Sequence, residues 1–166
     1  MNRYEYLSII VNSIYTFFTL LILCLAYIQY KYSIKVSRIK SSLEFLERES
    51  SSQELRQIRI DYANLRATLN KDEIIGLVEK RDEKSNKQRE VIFALLNRYE
   101  YMAIGIDLRV IDYGTFYRLW KSTTLRDWSN TKEFIQNLRS KSGNNLYMVE
   151  FEKLVARIAV DKMNKK

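Results

Sequence analysis

A long uncharged segment near the N-terminus constrains this chain more than any other feature. No charged residue occurs between Leu7 and Ile28. As a helix rising about 1.5 Å per residue, this segment would extend roughly 33 Å, which is enough to cross the hydrocarbon core of a bilayer. Tyrosines flank both ends, as in the aromatic belts of membrane helices: Tyr4, Tyr6, Tyr27, Tyr30 and Tyr32. The sequence therefore predicts a transmembrane helix in contact with membrane lipid.

Basic residues are concentrated on one side of this segment. Those that follow it are Lys31, Lys35, Arg38 and Lys40, whereas Arg3 alone, offset by Glu5, precedes it. The positive-inside rule places the basic side in the cytoplasm. We therefore expect a single-pass protein of the bacterial inner membrane with a cytoplasmic C-terminus. The four basic residues are also candidates for contacts with an anionic lipid surface.

The predicted organisation has four parts. Residues 1–6 are a short external N-terminus, residues 7–28 the transmembrane helix, residues 29–50 a basic juxtamembrane helical stalk with a hinge, and residues 51–166 a cytosolic helical domain. The segment ESSSQE, Glu49 to Glu54, is the predicted hinge. The last part is long enough to bury a core of its own.

A cleaved signal peptide is the main alternative for the N-terminal segment. Such a peptide needs a basic leader and a cleavage site flanked by small residues. The leader is not net basic, and the best cleavage site, Cys24-Leu25-Ala26, fits poorly. Leu23 also stands where a lipoprotein signal would have a small residue. An uncleaved anchor is the prediction.

The string NRYEY occurs twice, which raises the question of a second crossing. The second copy lies in a stretch from Val91 to Ile106 that is too short to span easily and carries Asn97, Arg98 and Glu100 at its centre. We interpret this stretch as the central helix of a soluble bundle. One crossing is therefore predicted.

The rest of the chain is predicted to be helical. It has no proline and only four glycines, which argues against many tight β-turns. Predicted helix starts are Ser51 with Glu54, Asn70 with Glu73, Asp112, and Asn130 with Glu133. The charged segment 79–90 is predicted as a solvated helix end or loop, and residues 142–145 as a turn. The fold class is all-α: one N-terminal transmembrane helix, a helical stalk and a cytosolic helical bundle.

A polar stripe marks one side of the predicted membrane helix. Ser8, Asn12, Thr16 and Thr19 fall within about 80° of one another at 100° per residue. Small and hydroxyl residues allow membrane helices to approach, and a buried Asn seeks a hydrogen-bond partner. Self-association through this stripe is the leading interpretation. The alternatives are that the hydroxyls face lipid while bonding their own helix, or that the stripe faces water inside a larger ring.

The residue types exclude most catalytic chemistry. The chain has no histidine, and its one cysteine, Cys24, lies in the predicted membrane helix. Histidine-dependent triads, zincin sites and thiolate metal sites are therefore ruled out. Carboxylates remain, namely Glu100, Asp107 and Asp112. We expect Glu100 to form a structural ion pair with Arg118 or Arg157, and we expect no enzyme activity, metal or cofactor.

Basic residues near two tryptophans raise the question of nucleic-acid binding. Arg109, Arg118, Lys121 and Arg126 lie close in sequence to Trp120 and Trp128. Basic residues beside exposed aromatic rings can bind nucleic acid. Trp120, however, shares the predicted core face with Phe116, so solvated arginines around core tryptophans are the preferred interpretation.

The block from Ala94 to Asp112 resembles a family of small bacterial membrane proteins catalogued as a domain of unknown function. The matching positions are Tyr99, Glu100, Ala103, Gly105, Ile106 and Asp112. The resemblance covers about residues 86–158 and implies no activity. More distantly, the architecture is similar to membrane-pore accessory proteins of RNA-targeting CRISPR systems. Their helical domain resembles a degenerate nuclease, and this chain has no histidine to complete such a motif.

Two functions follow as expectations. The first is a non-enzymatic, membrane-anchored homo-oligomer that acts as an accessory or effector, in phage defence or prophage-encoded exclusion, by perturbing the membrane or forming a pore. The alternative is a monomeric tether whose basic domain docks a cytosolic protein or a nucleic acid.

Overall fold

The computed structural model describes residues 3–163, and these form six helices with no strand among them. The helices are α1 (Arg3–Ser51), α2 (Gln53–Thr68), α3 (Lys71–Gly76), α4 (Glu83–Asp107), α5 (Tyr113–Ser142) and α6 (Val149–Met163). The predicted all-α fold with one long apolar N-terminal helix is confirmed. Residues 1–2, part of the predicted external N-terminus, and residues 164–166 lie outside the described residues.

The chain divides into two compact units within α1. The first unit ends at Lys40, and the second runs from Ser41 to the end of the chain. The second unit thus includes part of the segment predicted as stalk. The reason is that α1 contributes Ser42 and Leu46, both 1% exposed, to the second unit, so its last turns belong to the bundle.

Helix α4 is the central helix of the second unit, as the second NRYEY copy predicts. It packs against α2 and α6, while α5 packs against α3 and α6. At 100° per residue its buried side chains fall within an arc of about 160°: Ser85, Ile92, Leu95, Leu96, Arg98, Tyr99, Met102, Ala103 and Ile106. Asn97 is exposed and Glu100 is partly buried, and both lie outside this arc, so α4 can carry polar residues at its centre and still pack against its neighbours.

Two of the predicted helix starts are confirmed by their cap geometry. Asn70 and Glu73 form a capping box at the start of α3, with both reciprocal hydrogen bonds present. Asp112 begins α5, where its carboxylate accepts the Thr115 N–H at 2.8 Å. Both caps satisfy backbone N–H groups that the first turn leaves without a partner.

The other two predicted helix starts are wrong. Ser52, and not Ser51, precedes α2, and it makes no side-chain cap bond. Asn130 lies inside α5, which continues unbroken to Ser142. The buried face of α5 continues through this point with Asp127, Thr131 and Phe134, so packing along the face overrides the local cap signal.

The charged segment 79–90 is a loop only in its first part. Helix α4 begins at Glu83, where Asp82 accepts the Ser85 N–H at 2.9 Å. Arg89 reaches back from α4 to the carbonyl of Leu77 at 2.8 Å and also to that of Lys80. These bonds fix the loop against the helix that follows it.

Candidate functional site

The apolar part of α1 is exposed along its length. Its most apolar window has a mean hydropathy of 2.2, and none of that window is buried within the structure. Burial of apolar surface is favourable by about 25 cal/mol per Å². This part of α1 is long and apolar enough to cross a membrane, and none of its described side chains is buried in the core.

Within the predicted polar stripe, two hydroxyls are already hydrogen-bonded inside α1. Thr16 donates to the carbonyl of Asn12 and Thr19 to that of Tyr15, both at 2.8 Å. Ser8 and Asn12 are exposed on the same side. The Asn12 amide makes no side-chain hydrogen bond to a described residue. Asn12 is therefore the member of the stripe with most to gain from a partner in hydrocarbon.

The four basic residues that follow the apolar segment differ in their surroundings. The Lys31 ammonium lies 5.0 Å from the centre of the Tyr27 ring, and Lys35 is exposed. Arg38 and Lys40 each interact with another residue. At 100° per residue, Lys31, Lys35 and Arg38 share one side of the helix. This side presents a basic surface just beyond the apolar segment.

Glu100 has partners other than those predicted for it. Its carboxylate accepts the N–H of Phe151 at 2.7 Å and that of Glu150 at 3.2 Å, at the start of α6. A carboxylate there satisfies unpaired N–H groups and interacts favourably with the positive end of the helix dipole. Glu100 therefore fastens α6 to α4.

The arginines predicted to pair with Glu100 lie elsewhere. The Arg157 guanidinium stacks 3.6 Å from the centre of the Tyr113 ring, and Arg118 is exposed. Among the described residues, neither forms an ion pair with Glu100. The remaining carboxylates of the predicted set have other surroundings: Asp112 caps α5, and Asp107 is exposed.

An ion pair that the sequence analysis missed joins α1 to α4. Arg98, only 7% exposed, pairs with the Glu49 carboxylate and also donates from Nη2 to the Glu49 carbonyl at 2.8 Å. Burial lowers the pKa of the Arg98 guanidinium, and the Glu49 carboxylate opposes that shift. The sequence contains one indication that Arg98 is buried. Arg98 lies three residues after Leu95 and four before Met102, and this spacing places it on the core face of α4.

Trp120 is buried beneath two arginines. The guanidinium of Arg59 lies 4.3 Å from its ring centre, and that of Arg98 lies 5.2 Å away. Trp128 is partly buried, edge-on to Phe151 at 5.1 Å. Both rings contact residues of their own chain, in agreement with the core interpretation of the tryptophans.

A second buried polar group joins α4 to α5. Tyr99 donates its hydroxyl to Asp127 at 2.7 Å, and Arg126 donates to the same carboxylate at 3.0 Å. Burial, followed by the Asp127 charge, raises the pKa of Tyr99 and raises that of Tyr62 to about 12. The Tyr62 hydroxyl is buried and has no hydrogen-bond partner among the described residues. Both phenols therefore stay neutral at physiological pH.

These polar contacts link helices and provide no recognisable catalytic arrangement. Among residues 3–163, no three acidic, histidine or cysteine side chains are grouped so that they could hold a metal ion. A small cavity of about 80 Å³ lies between α4 and α6 and is lined by Asp107, Glu150, Lys153 and Arg157 together with apolar residues. The absence of catalysis remains an expectation from the residue types.

The structure defines a class of protein: an all-α chain in which a long, exposed, apolar N-terminal helix continues into a helical bundle. The chain belongs to the family described as a domain of unknown function, DUF4760, which it matches over residues 8–158. The match includes most of the apolar helix as well as the bundle. No curated protein and no solved structure matches the chain.

Proposed function

We propose that this protein is a non-enzymatic, single-span protein of the bacterial inner membrane that works as a homo-oligomer, as an accessory or effector. Its apolar helix spans the bilayer, and its bundle lies in the cytoplasm. In this proposal the apolar helix contacts the surrounding lipid and binds a second copy of the chain.

The continuity of α1 is the observation that carries this proposal. The helix is exposed and apolar in its first half, yet its last turns are fastened into the bundle. Three contacts fasten them: Ser42 accepts the N–H of Asp112 at 2.7 Å, Leu46 is buried in the core, and Glu49 pairs with Arg98. A signal sequence destined for removal needs no such attachment. The structure thus favours an anchor that the mature protein keeps.

The Asn12 amide supports assembly over a monomer. Because lipid offers no hydrogen bond, an amide within the hydrocarbon part of a span is stabilised when it meets a partner across a helix interface. The stripe also bears smaller side chains than the opposite side, which carries Phe17 and Leu21. A second copy can therefore approach most closely on the stripe.

A monomeric tether that docks a cytosolic protein or a nucleic acid is the second candidate. The hydrogen bonds of Thr16 and Thr19 to their own helix favour it, because hydroxyls satisfied in this way can face lipid. In that case only Ser8 and Asn12 of the stripe would remain to promote assembly.

Disulfide cross-linking in native membranes separates these two functions. The native Cys24 is first replaced by serine, and single cysteines are then placed at Ser8 or Thr19 on the stripe, which leaves Asn12 intact, or at Phe17 or Leu21 on the opposite side as controls. The oligomer predicts cross-linked dimers from the stripe positions only. Equal cross-linking from both sides, or none from either, would favour the tether.

The setting we propose is phage defence or prophage-encoded exclusion, through disturbance of the membrane. The support is architectural: one span, a basic helical bundle and a residue set without histidine. A membrane-potential dye tests this proposal. Expression of the wild-type chain should depolarise the cell, whereas the triple variant Asn12→Leu, Thr16→Leu, Thr19→Leu should not. Unchanged potential with the wild-type chain would contradict membrane disturbance.

A further inference from the structure

A cleft lies between α5 and α6, apart from the buried ion pair and the helix caps. It has a volume of about 250 Å³ and is lined by Tyr117, Lys121, Ser122, Leu125, Ile158 and Lys162. Ile158 is fully buried and Leu125 partly buried, so the floor of the cleft is apolar. Two ammonium groups, one from each helix, lie at its edge.

The two lysines carry positive charge that the described residues do not neutralise. Within residues 3–163, neither Lys121 nor Lys162 forms an ion pair, and Lys121 lies 4.6 Å from the centre of the Tyr117 ring. The carboxylate next to Lys162 in sequence, Asp161, accepts the Tyr113 hydroxyl at 2.6 Å. The cleft therefore combines an apolar floor with two cationic side chains and a serine hydroxyl, and this combination suits an anion attached to an apolar molecule.

The cleft begins at the end of the bundle that α1 enters. Asp112, which caps α5, is hydrogen-bonded to Ser42 on the first turns of α1 in this unit. Tyr113 in turn bonds Asp161 near the end of α6. The start of α5, the end of α6 and the incoming α1 therefore meet at one end of the bundle.

Exposed apolar side chains occur at the same end. Leu108 and Val110, in the turn before α5, are 68% and 67% exposed, and Met163 at the end of α6 is 69% exposed. Arg109 lies between the first two and adopts a left-handed backbone conformation, with φ of 59°. Large exposed apolar side chains beside basic residues are typical of surfaces that enter the interfacial region of a bilayer.

A short segment of chain links the apolar part of α1 to the first residues of the bundle. The helical segment from Ile28 to Ser42 is about 21 Å long, and the headgroup layer occupies roughly 5–8 Å of that distance. The helix length is the greatest separation that the connection allows, because any tilt of α1 shortens it.

We infer that the cleft between α5 and α6 binds the phosphate of an anionic phospholipid, through Lys121 and Lys162. The apolar floor contacts the glycerol and upper acyl region of the same lipid, and the exposed side chains of the α4–α5 turn insert beside it. This inference rests on the proposed membrane anchoring. It assigns to the bundle a lipid contact separate from the basic side of α1.

The test uses hydrogen–deuterium exchange of the full chain in nanodiscs. Discs of phosphatidylcholine alone are compared with discs that also contain phosphatidylglycerol. The inference predicts that amides in the last turns of α6 exchange about tenfold more slowly in the anionic discs, the slowing expected where lipid exceeds its Kd about tenfold. The double variant Lys121→Gln, Lys162→Gln should lose this protection, whereas the charge-matched control Lys84→Gln, Lys132→Gln should keep it.

Inorganic phosphate and a short RNA, each added to the zwitterionic discs, distinguish the other sources of phosphate. If either reproduces the protection, the cleft binds a soluble anion or a nucleic acid and the lipid inference is overturned. Equal exchange in both kinds of disc, or equal loss of protection in the control variant, would overturn lipid binding by the cleft and leave the proposed membrane anchoring unaffected. A chain that fails to enter the discs overturns the proposed anchoring and the inference together.

Discussion

At the scale of single residues, two buried tyrosines differ in the hydrogen bonding of their hydroxyl groups. Tyr99 and Tyr62 are 1% and 4% exposed. The Tyr99 hydroxyl donates to Asp127, whereas the Tyr62 hydroxyl has no hydrogen-bond partner within the part of the chain that the structure describes. A hydroxyl buried without a hydrogen bond costs free energy, and so does a carboxylate that loses its donor. The two positions therefore respond in opposite ways to removal of the hydroxyl.

Tyr99→Phe should lower the free energy of unfolding by about 1.5–3 kcal/mol, since it leaves the buried Asp127 carboxylate without one donor. Tyr62→Phe should leave it unchanged or raise it slightly, because a hydroxyl without a partner is removed. Chemical denaturation of the full chain in detergent measures both. Equal losses would contradict the hydrogen bonding described here.

Glu100 tests whether a partly buried carboxylate serves an ion pair or a helix cap. As a cap for α6, its loss in Glu100→Ala should cost about 1–3 kcal/mol. A broken buried ion pair would cost about 3–5 kcal/mol. A double-mutant cycle with Arg118→Ala distinguishes the two. We predict a coupling energy near zero, and a coupling above about 1 kcal/mol would restore the ion pair predicted from the sequence.

At the scale of elements, local sequence signals predicted two helix starts correctly. The features that were missed or predicted wrongly depend on contacts between residues far apart in the chain. Asn70 and Asp112 act on N–H groups within three residues, so their patterns could be recognised. The pairing of Glu49 with Arg98 joins residues far apart in the chain, and no local pattern contains it. The incorrect helix start at Asn130 has the same cause, because the buried face of α5 continues through it.

The turn between α4 and α5 explains part of the motif shared with the family. The carbonyl of Gly105 accepts the N–H groups of Val110 and Ile111, both at 2.9 Å. A Cβ at Gly105 would lie 2.8 Å from Cδ1 of Ile111, which is buried. Glycine at this position therefore allows the turn to fold back on α4 before Asp112 begins α5.

Gly105→Ala should destabilise the chain by about 1–2 kcal/mol, because the buried Ile111 must shift to make room. Gly76→Ala is the matched control, since a Cβ there meets nothing within 4 Å. That substitution should stabilise by about 0.4–1 kcal/mol through lower entropy of the unfolded chain. Denaturation midpoints in detergent measure both, and a neutral Gly105→Ala would mean that the turn is not closely packed.

At the scale of the whole molecule, the charge asymmetry around the apolar segment predicts which side of the membrane would hold the bundle. Helix α1 has 49 residues, and all its basic residues except Arg3 follow the apolar part. The apolar segment itself was predictable because length and uncharged composition are local properties. The attachment of α1 to the bundle core was not, because it depends on Ser42, Leu46 and Glu49 meeting residues of α4 and α5.

A reporter fusion at the C-terminus should show that the bundle is cytoplasmic. Green fluorescent protein attached after residue 166 should fluoresce, and alkaline phosphatase at the same place should be inactive. The control variant reverses the charge asymmetry: two lysines are added before Leu7, and glutamine replaces Lys31, Lys35, Arg38 and Lys40. This variant should show higher phosphatase activity than the wild-type chain. An active phosphatase on the wild-type chain would contradict the cytoplasmic bundle.

The central claim is that the apolar half of α1 stays in the membrane as part of the mature protein. Its most direct test is the intact mass of the chain recovered from carbonate-washed bacterial membranes. An anchor that is kept predicts that the chain remains in the membrane fraction with its full mass of 19.9 kDa. Recovery from the soluble fraction, or a membrane-bound chain shortened at its N-terminus by the length of a signal sequence, would contradict it.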